Sequence, residues 1–316
     1  MSPSGRAVGI TGTAVEDTIE SPDGSVTEDM GGIYYAVIAL DALLPAADRV
    51  VPVAVVGEDA VETVRADFGE LDRVATEGLR PVAATNNKVH IAYRGPDERE
   101  ETLTGGVPPI EWPALEPWIG RLDAWLWNFV AGNETDLETF ARLKTRFEGP
   151  VHLDVHSLCL EHPRGGPRRP RRPDRWERWV EGARWVQCNE REAGLLWSAE
   201  DAPLGSEEEA ALAERIRSLG AEGLLVTRGE GGATWHGGER RIDVPAVEVE
   251  GPVDPTGCGD VAGAAWVAFR WGHAMEPGEA LERVVRAAGA AASVSGTREL
   301  EDVLRASSLS TNGGSP

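Results

Sequence analysis

Short apolar runs alternate with longer amphipathic segments along most of the chain. The short runs are rich in Val, Leu or Trp and predict buried parallel strands. The longer segments repeat apolar residues at helical spacing. Strand and helix in alternation predict an α/β protein whose central, mostly parallel sheet is covered on both faces. The predicted strands are 50–56, 124–130, 150–155, 185–188 and 223–227, and the predicted helices are 32–44, 60–68, 137–147, 175–182, 206–219 and 279–292.

Two polar stretches, residues 13–27 and 85–103, interrupt the alternation. They alternate like half-buried strands and contain the turn signals Pro22-Asp23-Gly24 and Gly95-Pro96-Asp97. We predict that they pair into a small antiparallel sheet serving as a lid, with two surface hairpins that play no part in closure as the alternative. The predicted division is a large domain of residues 1–12, 28–84 and 104–305, a β lid of 13–27 and 85–103, and a disordered Ser/Gly-rich tail of 306–316.

The chain is strongly acidic, with 31 basic against 53 acidic residues and a net charge of −22. Nucleic acid and anionic membranes are therefore disfavoured partners. No run of about eighteen apolar residues appears, and the first residues do not resemble a signal peptide, so a cytoplasmic location is expected. Cys159, Cys188 and Cys258 have no paired spacing, which argues against a disulfide framework and a zinc site.

The loop 164–178 is rich in arginine, in a protein whose only lysines are Lys88 and Lys144. It could bind a phosphorylated ligand or an acidic partner subunit. The interpretation we favour is a solvated insertion that offsets nearby carboxylates. Its arginines are Arg164, Arg168, Arg169, Arg171, Arg172, Arg175 and Arg178.

A glycine-rich turn at residues 253–260 is the most informative feature. Gly257 and Gly259 allow consecutive backbone N–H groups to converge on one anion. The Ala-rich segment 261–271 predicts a buried helix whose N-terminus faces the same point. A carboxylate beside an anion site is unfavourable unless chemistry uses it, and Asp260 could take a proton from an attacking hydroxyl. The alternative is that Asp260 caps the helix.

Several common catalytic motifs are absent. The sequence has no Gly-x-x-x-x-Gly-Lys-Ser/Thr, no Gly-x-Ser-x-Gly and no His-Glu-x-x-His, which excludes a P-loop and the commonest hydrolase and zinc-protease sites. His152, Asp154 and His156 alternate on one predicted strand and could face a metal. A strand-end cluster satisfied by hydrogen bonds is the interpretation we favour for these three residues.

Taken together, the motifs resemble those of the ribokinase-like (PfkB) family of carbohydrate and nucleoside kinases, in order from about residue 9 to residue 296. The resemblance implies a three-layer αβα sandwich with a small β lid. The matching elements are residues 12–17, the pair Gly31-Gly32, the Asn-x-x-Glu at Asn189-Glu190-Arg191-Glu192, the strand and turn 226–232, and residues 254–260 against the signature Asp-x-Thr-Gly-Ala-Gly-Asp.

The resemblance further implies an ATP-dependent kinase that requires Mg²⁺ and phosphorylates a sugar, nucleoside or related polyol. Asp260 would be the general base, and the N–H groups of residues 257–259 the anion hole. The other roles it implies are Asp17, Gly31 and Gly32 for substrate, Asn189, Thr227, Gly229 and Gly232 for nucleotide, Glu192 for Mg²⁺ through water, and Asp254 and Thr256 for a possible K⁺.

Departures from the family pattern concern the substrate more than the reaction. Ala36 occupies a position where many members place an Asn that binds sugar hydroxyls, and Ala262 replaces a frequent Phe. Cys258 replaces the usual Ala, either as a small apolar residue or as a low-pKa thiolate at a helix N-terminus. Asn128, at the end of a predicted strand, either contacts substrate or is a buried, satisfied amide.

Two further expectations complete the prediction. A non-catalytic nucleotide or metabolite sensor on a kinase fold is the alternative function, motivated by Ala36 and Ala262. Lid sheets with exposed edges invite edge pairing, so a homodimer through the lid is expected.

Overall fold

The computed structural model describes residues 5–20, 24–95, 98–163, 166–238, 240–250 and 253–309. The strands are β1 (Ala7–Thr11), β2 (Ala14–Glu20), β3 (Val26–Gly32), β4 (Arg49–Pro52), β5 (Ala54–Gly57), β6 (Leu79–Val82), β7 (Lys88–Gly95), β8 (Glu98–Thr104), β9 (Ala124–Asn128), β10 (Val151–Asp154), β11 (Trp185–Asn189), β12 (Gly223–Thr227), β13 (Ala233–Gly237) and β14 (Arg240–Val244). The helices are α1 (Ile33–Leu43), α2 (Val61–Gly69), α3 (Trp112–Leu115), α4 (Leu137–Arg146), α5 (Trp176–Val180), α6 (Glu190–Ser198), α7 (Ser206–Ser218), α8 (Cys258–Val267), α9 (Pro277–Ala292) and α10 (Leu300–Leu309).

The main sheet has eight strands in the order β14-β13-β12-β11-β10-β9-β1-β4. The pairs from β4 to β12 are parallel, and β13 and β14 are added antiparallel. One hydrophobic core lies between this sheet and α1, α8 and α9, and a second lies on the opposite face against α4, α6 and α7. The predicted three-layer α/β fold is confirmed, because apolar strands buried on both faces need helices on both sides.

The apolar run 50–56, predicted as one strand, is two strands in different sheets. β4 pairs with β1, whereas β5 pairs with β6 in a separate two-stranded sheet. The break follows Pro52, which has no N–H to continue a ladder. The next residue, Val53, donates its N–H to the carbonyl of Ile10 at 2.7 Å.

A separate small sheet of four strands, in the order β3-β2-β7-β8, forms the predicted lid region. It is not wholly antiparallel as predicted, because β2 runs parallel to β7. These two strands belong to separate segments of the chain, each inserted into the main domain. No hairpin joins them, so they need not be antiparallel. β3 continues to Gly32, beyond the predicted boundary at residue 27. The turn residues Pro22, Asp23, Pro96 and Asp97 lie outside the described residues.

The C-terminal prediction needs one correction. The proposed disordered tail begins at residue 306, but α10 extends through Leu309. Leu300 and Leu304 anchor this helix in the first core. The remaining predicted tail, residues 310–316, lies outside the described residues. No helix of the described chain is both long and apolar enough to span a membrane.

Asp136 provides a test of local stability, since it caps α4. Its carboxylate accepts hydrogen bonds from the Thr139 N–H at 2.8 Å and from the Thr139 hydroxyl at 2.9 Å. The N–H of Thr139 is the main cause that lowers the pKa of Asp136. Asp136→Ala is expected to lower the free energy of unfolding by about 1 kcal/mol at neutral pH.

The pH dependence of this effect has a defined sign. A folded-state pKa below the unfolded value means that the stabilisation is present above the unfolded pKa and is lost as the pH falls through the folded pKa. Urea unfolding of the parent and Asp136→Ala at a series of acidic pH values should therefore show the difference shrinking. A difference that stays constant down to strongly acidic pH would contradict a role for the ionised cap.

Candidate active site

A cleft of about 830 Å³ opens between the small sheet and the carboxyl ends of the main parallel strands. This edge is where open α/β sheets bind ligands. The predicted residues that line it are Asp17, Gly32, Asn189, Thr227, Gly229, Gly232, Thr256, Gly257, Cys258, Gly259 and Asp260. Four other predicted residues, Gly31, Asn128, Glu192 and Asp254, are not among those lining it.

Helix α8 begins at the predicted glycine turn, three residues before the predicted start at 261. Gly257 is its N-cap, with φ 76° in the left-handed region. A Cβ on Gly257 would lie 2.2 Å from the ring atom Cδ1 of Tyr35. Only glycine meets both conditions.

The N-terminus of α8 points its first N–H groups at the cleft. Such groups have no partner within the helix, and that of Cys258 makes only a long bond of 3.3 Å to the carbonyl of Pro255. Gly257, Cys258 and Gly259 all line the cleft. An anion bound at this point would meet both the N–H groups and the positive end of the helix dipole.

Asp260 lies in the first turn of α8 and is 7% exposed. The Nδ2 group of Asn128, at the end of β9, donates a hydrogen bond to its Oδ1 at 2.5 Å. Asn128 is itself 1% exposed, so its amide orients the carboxylate. The N-cap of α8 is Gly257, which has no side chain, so the alternative that Asp260 serves as the cap is wrong.

The paired glycines have a structural role that the sequence did not reveal. A Cβ on Gly31 would lie 1.7 Å from Oδ2 of Asp17, so Gly31 leaves space for that carboxylate. Gly32 has φ 63° and turns the chain from β3 into α1. Asp17, on β2, lines the cleft and is 6% exposed.

Tyr35 stands among the acidic residues of the site. Burial raises its pKa, and the carboxylates of Asp17, Asp254 and Asp260 raise it further. Ala36, where the family often has a sugar-binding Asn, is fully buried and is not among the residues that line the cleft. Tyr35 is therefore the residue of α1 that lines the cleft.

The Asn-x-x-Glu motif forms a capping box at the start of α6. Oδ1 of Asn189 accepts hydrogen bonds from the N–H groups of Arg191 and Glu192, at 3.0 and 2.9 Å. The Glu192 carboxylate accepts from the N–H of Asn189 at 2.8 Å and from its Nδ2 at 2.7 Å. The structure thus gives the motif a helix-capping role and places Asn189 at the cleft wall.

Asp154, at the end of β10, is a buried carboxyl that neighbours two others. Its Oδ2 has no hydrogen-bond partner among the described residues. Burial raises the pKa of Asp154 well above its usual range, and the charges of Glu192 and Asp260 act in the same direction. Ionising these carboxyls together is therefore unfavourable unless a cation is bound beside them.

The strand motif containing His152 and His156 shows no metal cluster. Within the described ranges, no three His, Cys, Asp or Glu side chains come together in a way that could hold an ion. His152 is fully buried, and burial lowers its pKa to about 3. The side chain of Gln187 is the polar neighbour of this ring, and its hydrogen bond opposes the lowering of the pKa. His156 belongs to a short 3₁₀ turn, and its Nδ1 lies 2.8 Å from Oγ of Ser157.

The loop before α8 contains the predicted monovalent-cation residues. Asp254 Oδ1 accepts a hydrogen bond from the N–H of Thr256 at 2.9 Å. The Oγ1 atom of Thr256 is buried and has no partner in the described chain. Cys258 is not the low-pKa thiol considered above: burial and the carboxylates of Asp254 and Asp260 raise its pKa to about 12.

Much of the cleft wall outside the lid is also apolar. Thr227 ends β12, and the following turn reaches Gly232, whose φ is 84°. Ala262 lines the cleft where the family frequently has Phe. The remaining apolar wall comes from the segment before α8 and from α9, and consists of Ala246, Val247, Val249, Val253, Val284, Val285, Ala288 and Ala292.

The arginine-rich loop divides into two parts. Arg175 and Arg178 lie on the surface near Glu138, as expected for a solvated insertion. Arg168 differs, because its side chain is 1% exposed and pairs with Glu101 of β8 at 2.6 Å. Arg164 lies outside the described residues.

Comparison with known proteins agrees with this geometry. Residues 167–302 match the model of the pfkB family of carbohydrate kinases. No curated protein matches the sequence at a significant level.

Three solved structures show the likeness over nearly the whole chain. A pyrophosphate-dependent kinase of the ribokinase family has 18% identity and a TM-score of 0.76, covering 94% of this chain and 99% of its own. Ribokinase of Arabidopsis thaliana, complexed with ribose and ATP, has 17% identity and a TM-score of 0.75, covering 98% and 100%. The nucleoside kinase of Burkholderia thailandensis, in complex with inosine, has 16% identity and a TM-score of 0.71, covering 96% and 95%.

Identities this low establish the fold, and the family match covers the part of the chain that carries the glycine turn. The matching family model is one of carbohydrate kinases, and the structural relatives share the fold of this chain. The resemblance predicted from the motifs is confirmed: the chain has the ribokinase fold and, over residues 167–302, matches the pfkB family of carbohydrate kinases.

Proposed function

We propose that the protein is an ATP-dependent kinase that transfers the γ-phosphate to a hydroxyl of a sugar, nucleoside or related polyol. The observation that carries this proposal is the position of Asp260. A carboxylate oriented by Asn128 lies in the first turn of the helix whose N-terminal N–H groups face the same cleft. A base beside an anion hole is the arrangement that phosphoryl transfer to an alcohol requires.

Each residue then has a defined task. Asp260 takes the proton of the attacking hydroxyl, and Asn128 holds the carboxylate in place. The N–H groups of residues 257–259 stabilise negative charge on the transferred phosphoryl group. Asp17, on the lid strand β2, accepts hydrogen bonds from other hydroxyls of the acceptor. The lid excludes water, whose attack on the donor is the competing reaction.

The apolar cleft wall formed by α9 and the segment before α8 supports a nucleotide as the donor. Val249, Val285 and Ala288 offer a surface for a flat base, and Thr227, Gly229, Gly232 and Asn189 border the route towards the glycine turn. Inorganic pyrophosphate, the donor of one structural relative, has no apolar part to fill this space. We therefore expect ATP to support turnover, with pyrophosphate at equal concentration at least about 100-fold less effective.

The residues present also fit the cations that such a reaction uses. Asp154 and Glu192 would hold Mg²⁺, Glu192 through water, because the buried, unpaired oxygen of Asp154 and its carboxyl neighbours call for a cation. Bound there, Mg²⁺ would neutralise charge on the donor phosphates. Asp254 and the unpartnered hydroxyl of Thr256 would serve a K⁺ ion that orders the loop before α8.

The test is release of ADP, or of phosphate from pyrophosphate, with Mg²⁺ across a panel of sugars, nucleosides, inositols and open-chain polyols, at low and high KCl. Acceptor-dependent ADP release identifies the kinase and its acceptor class. Turnover with pyrophosphate alone would overturn the choice of donor. Absence of turnover on every acceptor, with ATP still bound, would favour the alternative of a metabolite sensor, which the unusual Ala36 and Ala262 motivate.

We further propose a cytoplasmic homodimer that pairs through the lid. Both edge strands of the small sheet contact the main domain. Thr102 of β8 forms a β-bridge with Pro167, and the Asp29 carboxylate of β3 accepts a hydrogen bond from the N–H of Thr297. The start of β3 presents the more accessible edge, where Val26 is 60% exposed. Sedimentation of the parent and of Val26→Lys would test this surface.

A further inference from the structure

The inner face of the lid carries two carboxylates on an otherwise apolar surface. Asp17 pairs with Val89 across β2 and β7, and Ile91 pairs with Glu101 across β7 and β8. Directly opposed residues share a face of a sheet, as do residues two apart on one strand. Asp17, Val89, Ile91 and Glu101 therefore lie on one face, and all four line the cleft.

Glu101 is held in place by a buried arginine. Nη1 of Arg168 donates to Oε1 of Glu101 at 2.6 Å, and the backbone N–H of Arg168 donates to the Glu101 carbonyl at 2.8 Å. Nη2 of Arg168 donates to the carbonyl of Ala131 at 2.7 Å. An ion pair this well hydrogen-bonded costs little rearrangement when a ligand arrives.

The spacing of the two carboxylates suits one small ring. From a strand spacing of about 4.8 Å and a rise of about 3.4 Å per residue, the Cα atoms of Asp17 and Glu101 are about 12 Å apart. This gap matches a monosaccharide-sized ring that hydrogen-bonds at each end. The side chains of Val89 and Ile91 lie between the two acids and offer an apolar surface to the C–H face of such a ring.

The charges at the cleft point to the same class of acceptor. Its acidic lining residues are Asp17, Glu101, Glu230, Glu248 and Asp260, and no described lining residue is Lys or Arg. An acceptor that already carries a phosphate or carboxylate would be repelled by Asp17 and would find no compensating cation, because Arg168 is already paired with Glu101.

We propose that Glu101, positioned by Arg168, is a second acceptor anchor: it accepts hydrogen bonds from hydroxyls remote from the one phosphorylated, and so selects an uncharged polyol ring. This inference rests on the proposed kinase function and narrows its acceptor class. Arg168 is a positioning residue, since its own side chain is buried behind Glu101.

The experiment compares Glu101→Gln with Glu100→Gln. Glu100 is the neighbouring residue on the same strand and is exposed, so it carries the same substitution away from the cleft. With the best uncharged acceptor from the panel, Glu101→Gln should lower kcat/KM by about 10- to 100-fold, because a hydrogen bond to a charged group is lost. Glu100→Gln should stay within about twofold of the parent.

Deoxy analogues of the acceptor separate recognition from a structural effect. With the analogue that lacks the hydroxyl bound by Glu101, kcat/KM of the parent should fall by about 10-fold or more. The kcat/KM of Glu101→Gln should fall little further with this analogue, because the two changes remove the same contact. If Glu101→Gln lowered kcat/KM by the same factor with every acceptor and analogue, the proposal would be overturned. Efficient phosphorylation of a sugar phosphate by the parent would also overturn it.

Two further measurements keep the outcome decisive. If thermal unfolding shows that Glu101→Gln is not folded, the same analogue series is run on Glu101→Asp, which keeps the charge for Arg168 and shortens the reach. If the parent shows no turnover, the kinase proposal fails separately, and binding of the panel is followed by thermal shift. Neutral polyols that stabilise the parent but not Glu101→Gln would then support the anchor, and no stabilisation by any of them would overturn it.

Discussion

Asp260→Asn is expected to lower acceptor-dependent turnover by about 10²- to 10⁴-fold, because the variant has no group that can take the proton of the attacking hydroxyl. The fold should survive, since asparagine keeps a side-chain oxygen that can accept the hydrogen bond from Asn128. Binding of ATP, measured by calorimetry, should be unchanged or slightly tighter, because a negative charge beside the phosphates is removed. Steady-state ADP release gives the comparison.

Asp302→Asn is the matched control for this variant. Asp302 is exposed on α10, outside the cleft, so its loss should leave turnover within about twofold of the parent. Retention of more than a tenth of parental turnover by Asp260→Asn would show that another group is the base. Equal loss in both variants would indicate a general effect on the protein.

Gly257→Ala is expected to lower both turnover and stability. A Cβ at this position would lie 2.2 Å from the Tyr35 ring, in a backbone conformation with φ 76°. The turn must therefore shift, which moves the N–H groups that we propose stabilise the transferred phosphoryl group. We expect kcat to fall by about 10²- to 10³-fold and the free energy of unfolding to fall by about 1 to 3 kcal/mol.

Substitutions at two other glycines separate the effect of backbone strain from the effect of contact with the ligand. A Cβ on Gly69, at the end of α2, meets no atom within 4 Å, so Gly69→Ala should leave both activity and stability near parental values. A Cβ on Gly259 also meets no protein atom within 4 Å but faces the cleft, so Gly259→Ala tests contact with the ligand without backbone strain. Parental kcat in Gly257→Ala would contradict the anion-hole assignment.

Local sequence patterns predicted the fold well because burial leaves a regular signature. The run at residues 223–227 coincides with β12, since the part of a strand that is covered on both faces is apolar on both faces. Asn-x-x-Glu likewise predicts a helix start, and it is a capping box in the structure. The glycine turn could be predicted as a candidate anion site, because its N–H groups are consecutive in the chain.

Contacts between distant segments could not be predicted in this way. The direction of β7 relative to β2, and the division of the run 50–56 between two sheets, depend on partners far away in the sequence. The bond from Asn128 to Asp260 joins residues 132 positions apart. Glu101 gave no sequence signal, because one acid in an acidic lid is unremarkable until Arg168 is seen behind it.

The sequence alone therefore determined the layered α/β architecture, the glycine turn and the identity of the candidate base, since each follows from residues close together in the chain. Only the tertiary structure decided which side chains surround that base. The left-handed Gly257 against Tyr35, the pKa of Cys258 raised to about 12, and the lid face bearing Asp17 and Glu101 all arise from packing between separate elements. The electrostatic environment of a side chain depends on charges from distant segments, and no local pattern specifies it.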